Sequence, residues 1–136
     1  MLPLEFVVPG QPVSHQTNNR ALLRVWRARV QTIARHHWPT DLPPLDSLLK
    51  LTVVYFHEDT SVRMDNDNML KPIQDALIGI VYRDDRQITD SVVRRTARAG
   101  AFRVLNMPSV VADALAWQAE FVYLRIESAP DHREFV

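Results

Sequence analysis

The run Leu48-Leu49-Lys50-Leu51-Thr52-Val53-Val54-Tyr55-Phe56 constrains the fold of this chain more than any other stretch. β-Branched and aromatic residues fit a pleated, packed surface, so the run reads as a central strand. Other elements must pair with it and cover it. Leu4 to Val8 reads as a short strand, closed by Pro9-Gly10 and the polar stretch Gln11 to Asn19. Asn19 suits the N-cap of a helix over about Arg20 to His37. On that helix Leu22, Leu23, Trp26, Val30, Ile33 and Ala34 fall on one face at 3.6 periodicity. Pro39 to Asp46, with three prolines, is a connector.

Beyond the central strand, His57 to Asn66 reads as a polar loop and Asn68 to about Ile78 as a second helix. Leu70, Ile73 and Leu77 would be its buried stripe and Gly79 its stop. Pro72 lacks an N–H and is tolerated in the first turn, so it limits where this helix can begin. Ile80 to Tyr82 and Gln87 to Thr96 read as two strands of one hairpin around the turn Arg83 to Arg86. Val110 to Ala119 suits a third helix, Phe121 to Ile126 a last strand, and residues 128–136 a loosely ordered tail. The order β-α-β-α-β-β-α-β predicts one α+β domain over residues 1–136, with a mixed or largely antiparallel sheet and two to three helices. With 46% hydrophobic residues such a domain can bury a core unaided. The absence of cysteine excludes disulfides and thiolate metal sites. No apolar run approaches the roughly 20 residues of a membrane span, and residues 1–5 lack the pattern of a signal peptide. The expectation is a soluble cytoplasmic protein.

Net charge is zero, which by itself argues mildly against a nucleic-acid partner. The distribution is less even. Residues 20–35 hold five arginines and no acid, and residues 91–103 hold four arginines and no acid. Between them, residues 58–90 hold eight acids against four bases. Two basic stretches around an acidic one suit either ordinary solvated faces or a phosphate-binding surface around a cation site. Arg20, Arg24, Arg27, Gln31 and Arg35 lie opposite the apolar stripe of the first helix and are open to the same two readings.

The acidic centre is the stretch Arg63 to Leu77. Asp65 and Asp67 lie two apart just before a helix, and in extended backbone such side chains point the same way. Paired carboxylates repel unless a cation or hydrogen bonds intervene. Mg²⁺ is commonly held by one or two carboxylates with waters and phosphate oxygens. Asp67, Lys71 and Asp75 follow at helical spacing on one face. A lysine there could contact a scissile phosphate, but for Asp67 and Lys71 taken alone a capping aspartate and a surface ion pair are the better account. An EF-hand starting at Asp65 fails, because Met69, Leu70 and Ala76 stand where its ligand, glycine and glutamate belong. A D-x-D nucleotide-sugar site lacks a companion glycine fingerprint. Asp84 and Asp85 suit a turn, and a metal site would need one of them to reach Asp65 and Asp67. None of the five histidines has ligand spacing, and no serine sits in a nucleophile elbow.

The string Asp65-x-Asp67-Asn68-x-x-Lys71-x-x-x-Asp75-Ala76-Leu77, then Gly79, then Tyr82-x-Asp84-Asp85-x-Gln87-Ile88 resembles the signature of the RusA family of Holliday-junction resolvases. Pro9-Gly10-Gln11-Pro12-Val13-Ser14 with Asn18-Asn19-Arg20 is similar to that family's N-terminal segment. The resemblance implies a homodimeric, Mg²⁺-dependent endonuclease that nicks four-way DNA junctions in pairs, with Mn²⁺ as a substitute and no organic cofactor or membrane. It implies Asp65, Asp67 and Asp85 as metal ligands and Lys71 as a further catalytic group. Asn68 and Asp75 match the signature and are read as helix support. Arg20, Arg24, Arg27, Arg35, Arg94, Arg95, Arg98 and Arg103 are the candidate phosphate contacts. Residues 106–120 have no placed counterpart in the family. The rival expectations are a nuclease for flaps or other branched DNA, and a non-catalytic DNA-structure-binding protein on the same scaffold.

Overall fold

A computed structural model describes residues 2–58, 64–98, 106–117 and 119–134. Its elements are β1 (Leu4–Pro9), α1 (Arg20–His37), β2 (Leu49–His57), α2 (Asn66–Leu77), a 3-10 helix (Asp85–Gln87), β3 (Ile88–Ala97), α3 (Ser109–Leu115) and β4 (Phe121–Ser128). They form an α+β domain around one four-stranded mixed sheet in the order β1-β4-β2-β3. β4 runs antiparallel to both β1 and β2, whereas β3 is parallel to β2.

α1 follows directly from its sequence. The Asn19 side chain accepts from Leu22 N–H at 3.0 Å and caps the first turn. Leu23, Trp26, Val30 and Ala34 are buried, but Leu22, expected in the stripe, is 49% exposed. α1 and α2 pack on one face of the sheet against Leu49, Leu51, Val53 and Tyr55. A smaller apolar cluster forms on the other face, where Val111 and Ala114 of α3 meet Phe56, Phe121 and Tyr123. α3 occupies Ser109–Leu115, inside the stretch expected to be helical.

Two local expectations are corrected. The first is α2, which begins at Asn66 and carries Pro72 in its interior, not its first turn. Proline there removes the hydrogen bond to the carbonyl four residues back. That carbonyl belongs to Asn68, and it accepts from His15 N–H at 2.8 Å instead. The lost helical bond thus becomes a tie to the loop before α1.

The second is the hairpin. Ile80, Val81 and Tyr82 are buried but form no strand with β3; Tyr82 makes isolated parallel bridges to Leu45 and Ile78. β2, α2 and β3 form a parallel crossover unit, so the partner of β3 is β2. A three-residue apolar run announces burial, not its partner. Gly79, at φ +83° just past α2, makes the turn and donates to Tyr82 O at 2.7 Å.

Candidate active site

The site forms where the crossover unit brings the N-terminal half of α2, the 3-10 helix and β3 together. Asp65 is the N-cap residue of α2 and Asp67 lies in its first turn, both exposed. Here the helix dipole favours carboxylates. The Asp65 side chain makes no capping hydrogen bond. Among the described residues neither carboxylate has an ion-pair or hydrogen-bond partner. A cleft of about 440 Å³ opens beside Asp65, lined by Ser14, Gln16, Met64, Asp65, Asn68 and Arg95. Asn66 Nδ2 donates to Val93 O at 3.3 Å and ties this end of α2 to β3.

Lys71, one turn further along α2, lies between two acids. Its Nζ donates to Asp85 at 2.7 Å and pairs with Asp75 at 2.9 Å. The Asp85 hydrogen bond first, then the Asp75 one, raise the Lys71 pKa above its ordinary value and keep it cationic at physiological pH. Asp75 in turn lies 4.0 Å from Arg27 of α1. The Asp75 interaction was legible as an i, i+4 spacing, but its link to α1 was not. Asp84 is committed to Arg86: its carboxylate accepts from Arg86 N–H at 2.9 Å and caps the 3-10 helix. Its hydrogen bonds to Arg86 hold that carboxyl well below the usual range.

Gln87 fixes the turn. Its Oε1 accepts from Arg83 and Asp84 N–H, and its Nε2 donates to Leu45 O and Ser47 O at 2.8 and 2.9 Å. Tyr82 is fully buried with its hydroxyl donating to Gln74 O at 2.6 Å; burial, then Asp85 and Asp75, push its phenol far up. The 82–88 signature is therefore a rigid support that delivers Asp85 to Lys71. Sequence reading left Gln87 and Tyr82 without individual roles, because their partners come from the connector and α2.

The donor set suits a hard divalent cation: carboxylate oxygens, two of them uncommitted. Asp65 and Asp67 thus fit as ligands. Among the described residues no three His, Asp or Glu side chains gather as a ready metal cage, and Asp85 is engaged with Lys71.

The candidate phosphate contacts divide. Arg95 lines the Asp65 cleft, whereas Arg94 is opposite Val54 in the register and belongs to the α3 face. Arg24 and Arg35 are exposed and, among the described residues, unpaired. Arg20 donates to His15 O and Thr17 O and clamps the loop before α1. Arg98 is paired with Glu58 at 2.7 Å and only 18% exposed. Arg103 lies outside the described residues.

This combination, an acidic helix N-terminus beside a lysine–aspartate clasp and an arginine, agrees with the comparison to protein families. Residues 9–104 match the family described as Endodeoxyribonuclease RusA. The chain belongs to the RusA family, which is a family of Holliday-junction resolvases, metal-dependent nucleases acting on branched DNA. No curated protein matches the chain. The matched span ends before α3 and β4, although β4 lies inside the sheet. Among the described residues no helix is long and apolar enough to cross a membrane.

Proposed function

We propose that the protein is a Mg²⁺-dependent crossover-junction endodeoxyribonuclease that resolves four-way junctions by paired nicks, acting as a homodimer. The observation carrying this reading is the pair of uncommitted carboxylates, Asp65 and Asp67, at the start of the helix whose Lys71 clasps Asp85. Asp65, Asp67 and Asp85 would hold the cation; Mn²⁺, also an oxygen-binding cation, would substitute. When bound it supplies Lewis acidity toward a backbone phosphate and favours ionisation of water.

Lys71 stays cationic and stands where it offsets negative charge growing on that phosphate. Arg95, in the same cleft as Asp65, holds the phosphate in register. Asp75 retains Lys71 if Asp85 turns to the cation. A four-way junction has two-fold symmetry, and a C₂ dimer supplies two sites related in the same way. The exposed arginines Arg24 and Arg35 extend the phosphate surface along α1.

The test is incubation of the purified protein with a synthetic four-way junction, a flap and a linear duplex, each with Mg²⁺ or EDTA. Symmetric nicks confined to the junction and lost in EDTA are expected. Preferred cutting of flaps would move the substrate, and binding without any cut under Mg²⁺ or Mn²⁺ would overturn the catalytic reading.

A further inference from the structure

The Asp65 cleft continues into a second, larger depression of about 520 Å³, within the range of ligand pockets. The two are continuous because Ser14, Gln16 and Met64 line both. Val13, Leu22 and Met64 give the second depression an apolar wall, which is what the exposed Leu22 faces. Gln16 and Asn18 add side-chain amides, and among the described residues neither amide has a partner. An amide offers both donors and an acceptor. Among the described residues, no lining residue is charged and none is aromatic.

Such a wall does not attract phosphate, which calls for cations. It suits a planar heterocycle with apolar faces and a mixed donor–acceptor edge. The wall is also held in shape: His15 N–H is tied to Asn68 O, Ser14 Oγ accepts from Gln16 N–H, and Arg20 clamps the loop from the other side.

We infer that this depression seats one unstacked nucleobase of the DNA strand whose phosphate lies at Asp65. The inference rests on the nuclease reading above. Phosphate and base of neighbouring nucleotides diverge to opposite sides of a strand, and the two joined clefts offer a charged seat and a neutral one to match. Bases at a branch point cost less to unstack than bases within an arm, because stacking is interrupted where the arms meet.

The test uses a four-way junction carrying 2-aminopurine at single positions near the branch, mixed with the protein in Ca²⁺ to suppress cutting. Unstacking brightens this base, and a pocket without aromatic side chains leaves it bright. The expected result is a rise of at least threefold at one position, reduced by half or more in the Gln16→Ala, Leu22→Ala double variant. Both side chains are exposed, and an unchanged circular dichroism spectrum and Tm verify the fold. An abasic nucleotide at that same position should slow single-turnover cutting by the wild type about fivefold and leave the double variant's rate insensitive. A protein that cuts junctions while 2-aminopurine stays dark within three nucleotides of the branch overturns the base seat and leaves the nuclease reading intact. A protein that binds no branched DNA takes both down.

Discussion

The Asp85 carboxylate is engaged with Lys71 at 2.7 Å, whereas the adjoining Asp84 folds back onto Arg86 as a cap. Two neighbouring acids therefore take different partners. Asp65→Asn should lower single-turnover junction cutting at least 100-fold while junction affinity, read by gel shift, stays within threefold. Wild-type turnover in that variant would sink the metal-ligand assignment. Tyr82 makes a pH prediction. Its native phenol has a raised pKa, so the native state favours the protonated form. That contribution is complete below pH 10 and is lost as pH rises above it. Tyr82→Phe should cost about 1 kcal/mol at pH 8 through the bond to Gln74 O. It should also flatten the fall of stability above pH 10, as measured by urea unfolding at a series of alkaline pH values.

At the scale of elements, α1 and α2 depend on opposite devices. α1 has a conventional cap, and Asn19→Ala should cost about 1 kcal/mol in urea unfolding. α2 instead carries an interior proline whose missing N–H leaves Asn68 O open to His15. Pro72→Ala restores a competing helical donor, so the His15 amide should exchange at least tenfold faster by hydrogen-exchange NMR. Unchanged protection there would show that the loop is held by Arg20 and side-chain contacts alone. The tie matters because the loop it fixes borders both the Asp65 cleft and the depression that continues from it.

For the whole molecule, zero net charge gives no general attraction to DNA, so affinity must come from local basic patches. The pairing of each arginine then predicts its share. Arg24→Ala removes an unpaired exposed cation and should reduce the slope of log affinity against log salt by about 1. Arg98→Ala removes a cation already paired with Glu58 and should leave the slope unchanged. Equal effects of the two variants on junction binding would refute this division.

Much of the molecule was legible along the chain. α1 with its Asn19 cap, β2 and the last strand rest on local periodicity, capping and spacing, which act between residues a few positions apart, whereas the 65–88 signature was legible as a resemblance to the family. What sequence could not supply were partners. Whether Ile80 to Tyr82 would pair with β3 or fill the floor between α2 and the connector depends on the β2-α2-β3 crossover, and periodicity is blind to it. The meeting of Asp85 with Lys71, the burial of Arg98 against Glu58, and the separation of Arg94 from Arg95 onto opposite sheet faces were likewise decided by tertiary packing. The sequence by itself determined most of the helices and strands, Ile80 to Tyr82 excepted, and the resemblance picked out the acids of the family signature. Tertiary structure decided which charges meet, because ion pairs and faces depend on distances in space between residues remote along the chain.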